Sequence, residues 1–128
     1  MPPESAPQRR EFSRVAVHLR AEVIANGRVH GSGTMESLSL KGGFFRSDSA
    51  PRDGVPVEVR LHLEGSEIEV RTRGFVVRSG VEGCAIQFTE IIGVESLEHL
   101  RNIIRFNTHD PDKVEEEFSH HLGLKRPE

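Results

Sequence analysis

Val-Ala-Val-His-Leu-Arg-Ala-Glu-Val-Ile-Ala-Asn-Gly-Arg-Val-His, residues 15–30, carries the clearest structural pattern in the chain. Val15, Val17, Leu19, Ala21 and Val23 recur at every second position, with His18, Arg20 and Glu22 between them. That period of two belongs to a strand with one apolar and one wet face. Asn26-Gly27 then interrupts it with the two residue types that best tolerate positive φ, so a two-residue hairpin is expected. A second strand follows from Arg28 to Leu38, with Gly31 and Gly33 permitting a bend or bulge.

The same reading extends downstream. A short strand is expected at Gly43–Arg46, then a loop through Pro51-Arg52-Asp53-Gly54. Val55, Val57, Val59, Leu61 and Leu63 alternate again, and Glu64-Gly65-Ser66 turns the chain. Ile68 and Val70 begin a long strand that continues through Phe75, Val76 and Val77. Ser79-Gly80 is the next expected turn, and Gly83–Phe88 the last strand. Five or six short strands joined by tight turns predict an antiparallel sheet or a small barrel.

The period then changes. Val94, Leu97, Leu100, Ile103 and Ile104 fall at helical spacing, with Glu95, Glu98, Arg101 and Arg105 left for the wet face. Such a helix can cover an open barrel end. Asp110-Pro111 has the form of an N-cap followed by proline at the first helical position. Val114, Phe118 and Leu122 make a thin apolar stripe on a short, acidic second helix, which Gly123 is expected to end. The stripe can dock on the barrel or on a second subunit.

Composition limits the function. A chain of 128 residues holds one domain and one core. No apolar run approaches the ~20 residues that a membrane span requires. Residues 1–7 are rich in proline and small residues, lack the order of a signal peptide and are expected to be disordered. Cys84 stands alone, so no internal disulfide is expected and a cytoplasmic location is the default; core packing is the better reading of that cysteine. The net charge of −3 opposes general nucleic-acid binding. A barrel for single-stranded nucleic acid would also use aromatic platforms, and Trp and Tyr are absent. The seven histidines show no zinc-binding spacing, and no nucleophile elbow or phosphate loop occurs. Neither a metal, a cofactor nor an enzyme is expected.

Charge is unevenly placed: residues 8–30 carry a net +3 and residues 110–122 a net −4. An anionic ligand is therefore drawn to the front of the chain. There Arg9-Arg10-Glu11-Phe12-Ser13-Arg14 offers guanidinium forks that suit phosphate oxygens and stack on aromatic rings. Further on, Ser37-Leu38-Ser39-Leu40-Lys41-Gly42-Gly43 offers two hydroxyls on one strand face and glycines that admit a close ligand. Each cluster also has a plain structural reading. The arginines can be a solvated lead-in, for Arg101 and Arg105 share the spacing of Arg10 and Arg14 on a helix face, and Gly42-Gly43 can be a simple turn.

Arg9-Arg10-x-x-x-Arg14 before the first strand, with Ser39 and Gly42 following, resembles the two-part signature of the PilZ domain family. That signature is an Arg-x-x-x-Arg segment and a later Asp/Asn-x-Ser-x-x-Gly. The final strand Gly83–Phe88 and the stretch Ser96–Leu100 are similar as well. The resemblance spans residues 8–107, leaving 108–128 as a C-terminal helical extension. It implies a six-stranded antiparallel β-barrel with a C-terminal helix. It further implies a non-catalytic receptor for cyclic di-GMP that relays its signal to a protein partner. Arg10 and Arg14 would hold the ligand with help from Arg9; Ser39, Gly42 and, at the motif's edges, Ser37 and Gly43 would line the rest. One position departs: Ser37 stands where the family has Asp or Asn, and its hydroxyl offers a shorter reach and one oxygen. Glu36 replaces the missing group only if a bulge re-aims it. The alternative implied by the family is a ligand-independent adaptor in pilus or motility assemblies.

Overall fold

The computed structural model describes residues 13–125. Strands β1 (Val15–Ala25), β2 (Arg28–Ser39), β3 (Gly42–Arg46), β4 (Pro56–His62), β5 (Glu69–Gly80) and β6 (Gly83–Ile91) form a closed barrel. Their order is β1-β2-β3-β6-β5-β4 with every pairing antiparallel, and β4 returns to β1. The expected disordered tail at residues 1–7 lies outside the described residues, as do Arg9 and Arg10.

Alternation produces the wall. Val15, Leu19, Ala21, Val23, Val57, Val59, Leu61, Val70, Val76, Ile86 and Phe88 point inward and are buried with Met35, Leu38 and Phe45. Asn26 and Gly27 take φ of 55° and 76°, the left-handed pair whose twist matches a two-residue hairpin. Cys84 packs in this core, and burial pushes its thiol up to about 11.

Two helices close the structure: α1 (Val94–Asn107) and α2 (Pro111–Lys125). Leu100, Ile103 and Ile104 of α1 join the barrel core, and buried Ser96 Oγ accepts the Arg71 N–H at 3.0 Å, fixing the helix start to β5. Asp110 Oδ1 accepts the Lys113 N–H at 3.2 Å, the capping bond expected before Pro111. Val114 and Phe118 of the stripe are buried in the same core, while the Leu122 side chain lies outside the described part, and Glu115 bonds Arg105 at 2.8 Å.

Several boundaries differ from expectation. The β5–β6 turn is Val81-Glu82 rather than Ser79-Gly80, because Gly80 and Gly83 form the last pair of the ladder. Strand β6 runs on to Ile91. Val94 is 78% exposed: it sits at the first helical position, ahead of the turn that meets the barrel. The second helix is not short. It spans 15 residues and continues through Gly123, since a helical glycine costs only about 1 kcal/mol and does not force an end.

Candidate functional site

The register of β1 against β2 assembles the site. Val15 pairs with Leu38, both inward, so Ala16 and Ser37 pair on the outer face. Arg14, one residue before Val15, is exposed at the end of the ladder where β2 runs on from Leu38 to Ser39. On the other side Ser37 faces Phe44 and Ser39 faces Gly42 in β3. Arg14, Ser37, Ser39 and Gly42 thus gather on one patch of wall, although Arg14 and Gly42 lie far apart in the chain.

Each residue also has a structural role. Ser39 is buried, and its Oγ accepts the Lys41 N–H at 3.1 Å and donates to the Gly42 carbonyl at 3.4 Å, shaping the β2–β3 turn. The turn itself is Leu40-Lys41, and the two glycines begin β3. Gly42 has φ of 156°, and a Cβ there would lie 2.1 Å from the Ile86 carbonyl oxygen. At Gly43 a Cβ would lie 2.3 Å from the Ser37 carbonyl oxygen. Both glycines are required by the close approach of neighbouring strands, independently of any ligand.

Glu36 is the residue that strict alternation misplaces. Met35 and Leu38 both point inward, so the two residues between them, Glu36 and Ser37, both face out. The ladder shows why. Met35 pairs with Phe45 and Ser37 with Phe44, leaving Glu36 as an extra residue, a β-bulge. Its carboxylate bonds Arg46 Nε at 2.5 Å on the exposed wall. That hydrogen bond, with the Glu36 charge, raises the Arg46 guanidinium above its ordinary value. The visible signal in the sequence is the three-residue step between the apolar residues Met35 and Leu38.

Just before β1, Ser13 is tied to α2. The Ser13 N–H donates to both oxygens of Glu117 on α2 at 3.0 Å, and Ser13 Oγ donates to Oε2 at 2.9 Å. Further along the wall, a groove of about 640 Å³ opens between β1 and the β4–β5 turn, lined by His18, Arg20, Thr34, His62 and Glu69 among others. Its lining does not include Ser37, Ser39 or Gly42. Among the described residues, no His, Cys, Asp or Glu side chains converge in a group of three fit for a metal ion, and no helix is long and apolar enough to cross a membrane.

Solved structures share this architecture. The inhibitor of motility MotI/DgrA of Bacillus subtilis superposes with a TM-score of 0.62 at 19% identity, over 83% of this chain and 56% of that one. This chain therefore spans little more than half of that protein. The PilZ domain of CeSA from a cellulose-synthesizing bacterium gives 0.56 at 19% identity, over 72% of this chain and 94% of that domain. At such identities the likeness concerns the fold. No curated protein gives a significant match. The PilZ domain family model, in contrast, aligns with residues 8–106, taking in the arginine segment, the whole barrel and nearly all of α1, and on that match the chain belongs to the PilZ domain family.

Proposed function

We propose that this protein is a cytoplasmic, non-catalytic receptor for cyclic di-GMP that passes the signal to a protein partner. PilZ domains are in general receptors or effectors for that messenger. The observation that supports the reading for this chain is the β1–β2 register, whose Val15–Leu38 pair brings the start of β1, just after Arg14, to the end of β2 that carries Ser39. In this reading Arg10 and Arg14 hold the phosphates, with Arg9 assisting, and guanidinium planes stack on guanine. Ser37, Ser39, Gly42 and Gly43 form the floor. Ser39 Oγ keeps acceptor capacity beyond its turn bonds, so it serves from a fixed position.

The signal leaves through α2. Ser13 is the residue before Arg14, and Glu117 holds it. Closure of the arginine segment over the ligand draws Ser13 away from that carboxylate and frees it at the α2 surface for a partner. A ligand shifts such an equilibrium only through its preference for one state, so the two holds on the segment oppose each other.

A second reading, the ligand-independent adaptor, draws support from Ser37, whose hydroxyl is short, and from the engagement of Ser39 in its turn. Calorimetry separates the two. Saturable binding of cyclic di-GMP, weakened at least about tenfold by Arg14→Ala, is the expected result. A folded wild-type protein that gives neither heat nor spectral change with excess cyclic di-GMP overturns the receptor reading.

A further inference from the structure

We propose that Glu36, swung outward by the β2 bulge, is the residue that selects guanine over other bases on this wall. The inference rests on the receptor reading above and names its specificity determinant.

The Watson–Crick edge of guanine presents two adjacent donors, N1–H and the N2 amino group. Two carboxylate oxygens match them, whereas a hydroxyl at Ser37 can accept from one at a time. In a regular strand Glu36 would point the opposite way from Ser37, into the barrel. Here the extra residue between the Met35–Phe45 and Ser37–Phe44 pairs puts both side chains on the outer face, one after the other. The Glu36 side chain therefore leaves the wall on the same face as the neighbouring Ser37, with its carboxylate turned to Arg46.

Two further features suit the role. Arg46 Nε donates to Glu36 Oε2 and orients the carboxylate on the surface. The pair is also accessible, with side-chain exposures of 52% for Arg46 and 37% for Glu36, so an incoming base can meet it without opening the core. An exposed ion pair yields readily to a competing partner. One Glu36 oxygen is engaged by Arg46 Nε, which leaves the other oxygen and further lone pairs for the two guanine donors. Adenine presents an acceptor at N1, which faces a carboxylate unfavourably.

The test compares cyclic di-GMP with cyclic di-AMP by calorimetry on wild type, Glu36→Gln and Arg14→Ala. Wild type is expected to prefer cyclic di-GMP. Glu36→Gln, whose amide offers one acceptor and one donor group, should lose at least about tenfold in cyclic di-GMP affinity and narrow its preference over cyclic di-AMP. Arg14→Ala should weaken whatever binds without narrowing that preference. Unchanged affinity and preference in Glu36→Gln, with Arg14→Ala impaired, overturns this inference and leaves the receptor reading intact. No binding of cyclic di-GMP by folded wild type overturns both. Glu36 is exposed at a bulge, so the melting temperature of Glu36→Gln should stay near that of wild type.

Discussion

Removing the Glu117 carboxylate should make the protein a tighter receptor. Ser13 gives three hydrogen bonds to that group, at 2.9–3.0 Å and partly shielded from solvent. A hydrogen bond to a charged group contributes ~1.5–3 kcal/mol when well buried. Three bonds sharing one half-exposed carboxylate do not add, so the whole hold on Ser13 is about 1.5–2.5 kcal/mol. If the ligand-bound segment has left Glu117, that free energy opposes binding. Glu117→Ala then raises cyclic di-GMP affinity by about 10- to 70-fold. Ser13→Ala removes only the Oγ bond and should give a smaller gain of roughly two- to fivefold. Alanine keeps the helix, and Val114 and Phe118 still anchor α2 in the core. Global melting should move little, because the segment can detach without opening the barrel. Calorimetry at fixed ionic strength reads the effect. An affinity for Glu117→Ala equal to or below that of wild type would mean that Ser13 stays on α2 when ligand binds, and the proposed opposition between the two holds would fall.

Two further outcomes concern stability. Gly42→Ala places a Cβ 2.1 Å from the Ile86 carbonyl oxygen and should cost about 2–4 kcal/mol by separating β3 from β6, whereas Gly80→Ala, with open space around it, should be near neutral in the same urea titration. Partial burial alone would push the Glu58 carboxyl up, but hydrogen bonds and charges from Arg60 and Arg71 outweigh it and hold the group below its ordinary 4.5. A carboxyl lowered by folding contributes stability above its unfolded value and loses it as pH falls through the folded one. Glu58→Gln should therefore be less stable than wild type by about 1 kcal/mol near neutral pH, with the gap closing below pH 4.5. A gap independent of pH in urea titrations would count against the ion pairs.

Much of the barrel is legible in residues 15–91 because its wall obeys a period of two and its turns carry Asn-Gly or Glu-Gly-Ser. The misplacements have local causes. Ser79-Gly80 has turn chemistry but lies in the ladder, while Val81-Glu82, with little turn character, makes the turn. Gly123 reads as a stop but is carried through α2. The β1–β2 register was legible as well: the Val15–Leu38 and Ala16–Ser37 pairs follow once the hairpin at Asn26-Gly27 is fixed, whereas Arg9 and Arg10 lie outside the described residues. Glu36 was hidden because strict alternation sends it inward. The Ser13–Glu117 contact joins residues 104 positions apart, and no local pattern in either segment announces it.

The ring closure of the six strands restricts how such a protein can speak to others. An open sheet has a free margin of unpaired N–H and C=O groups to which a partner strand can be added. Here β4 joins β1 and every strand has two neighbours, so that mode of docking is closed off. A partner must grip side chains on the barrel's exterior or on the two helices. In the receptor reading the cylinder is a stationary anvil, and whatever moves on ligand binding moves across its surface.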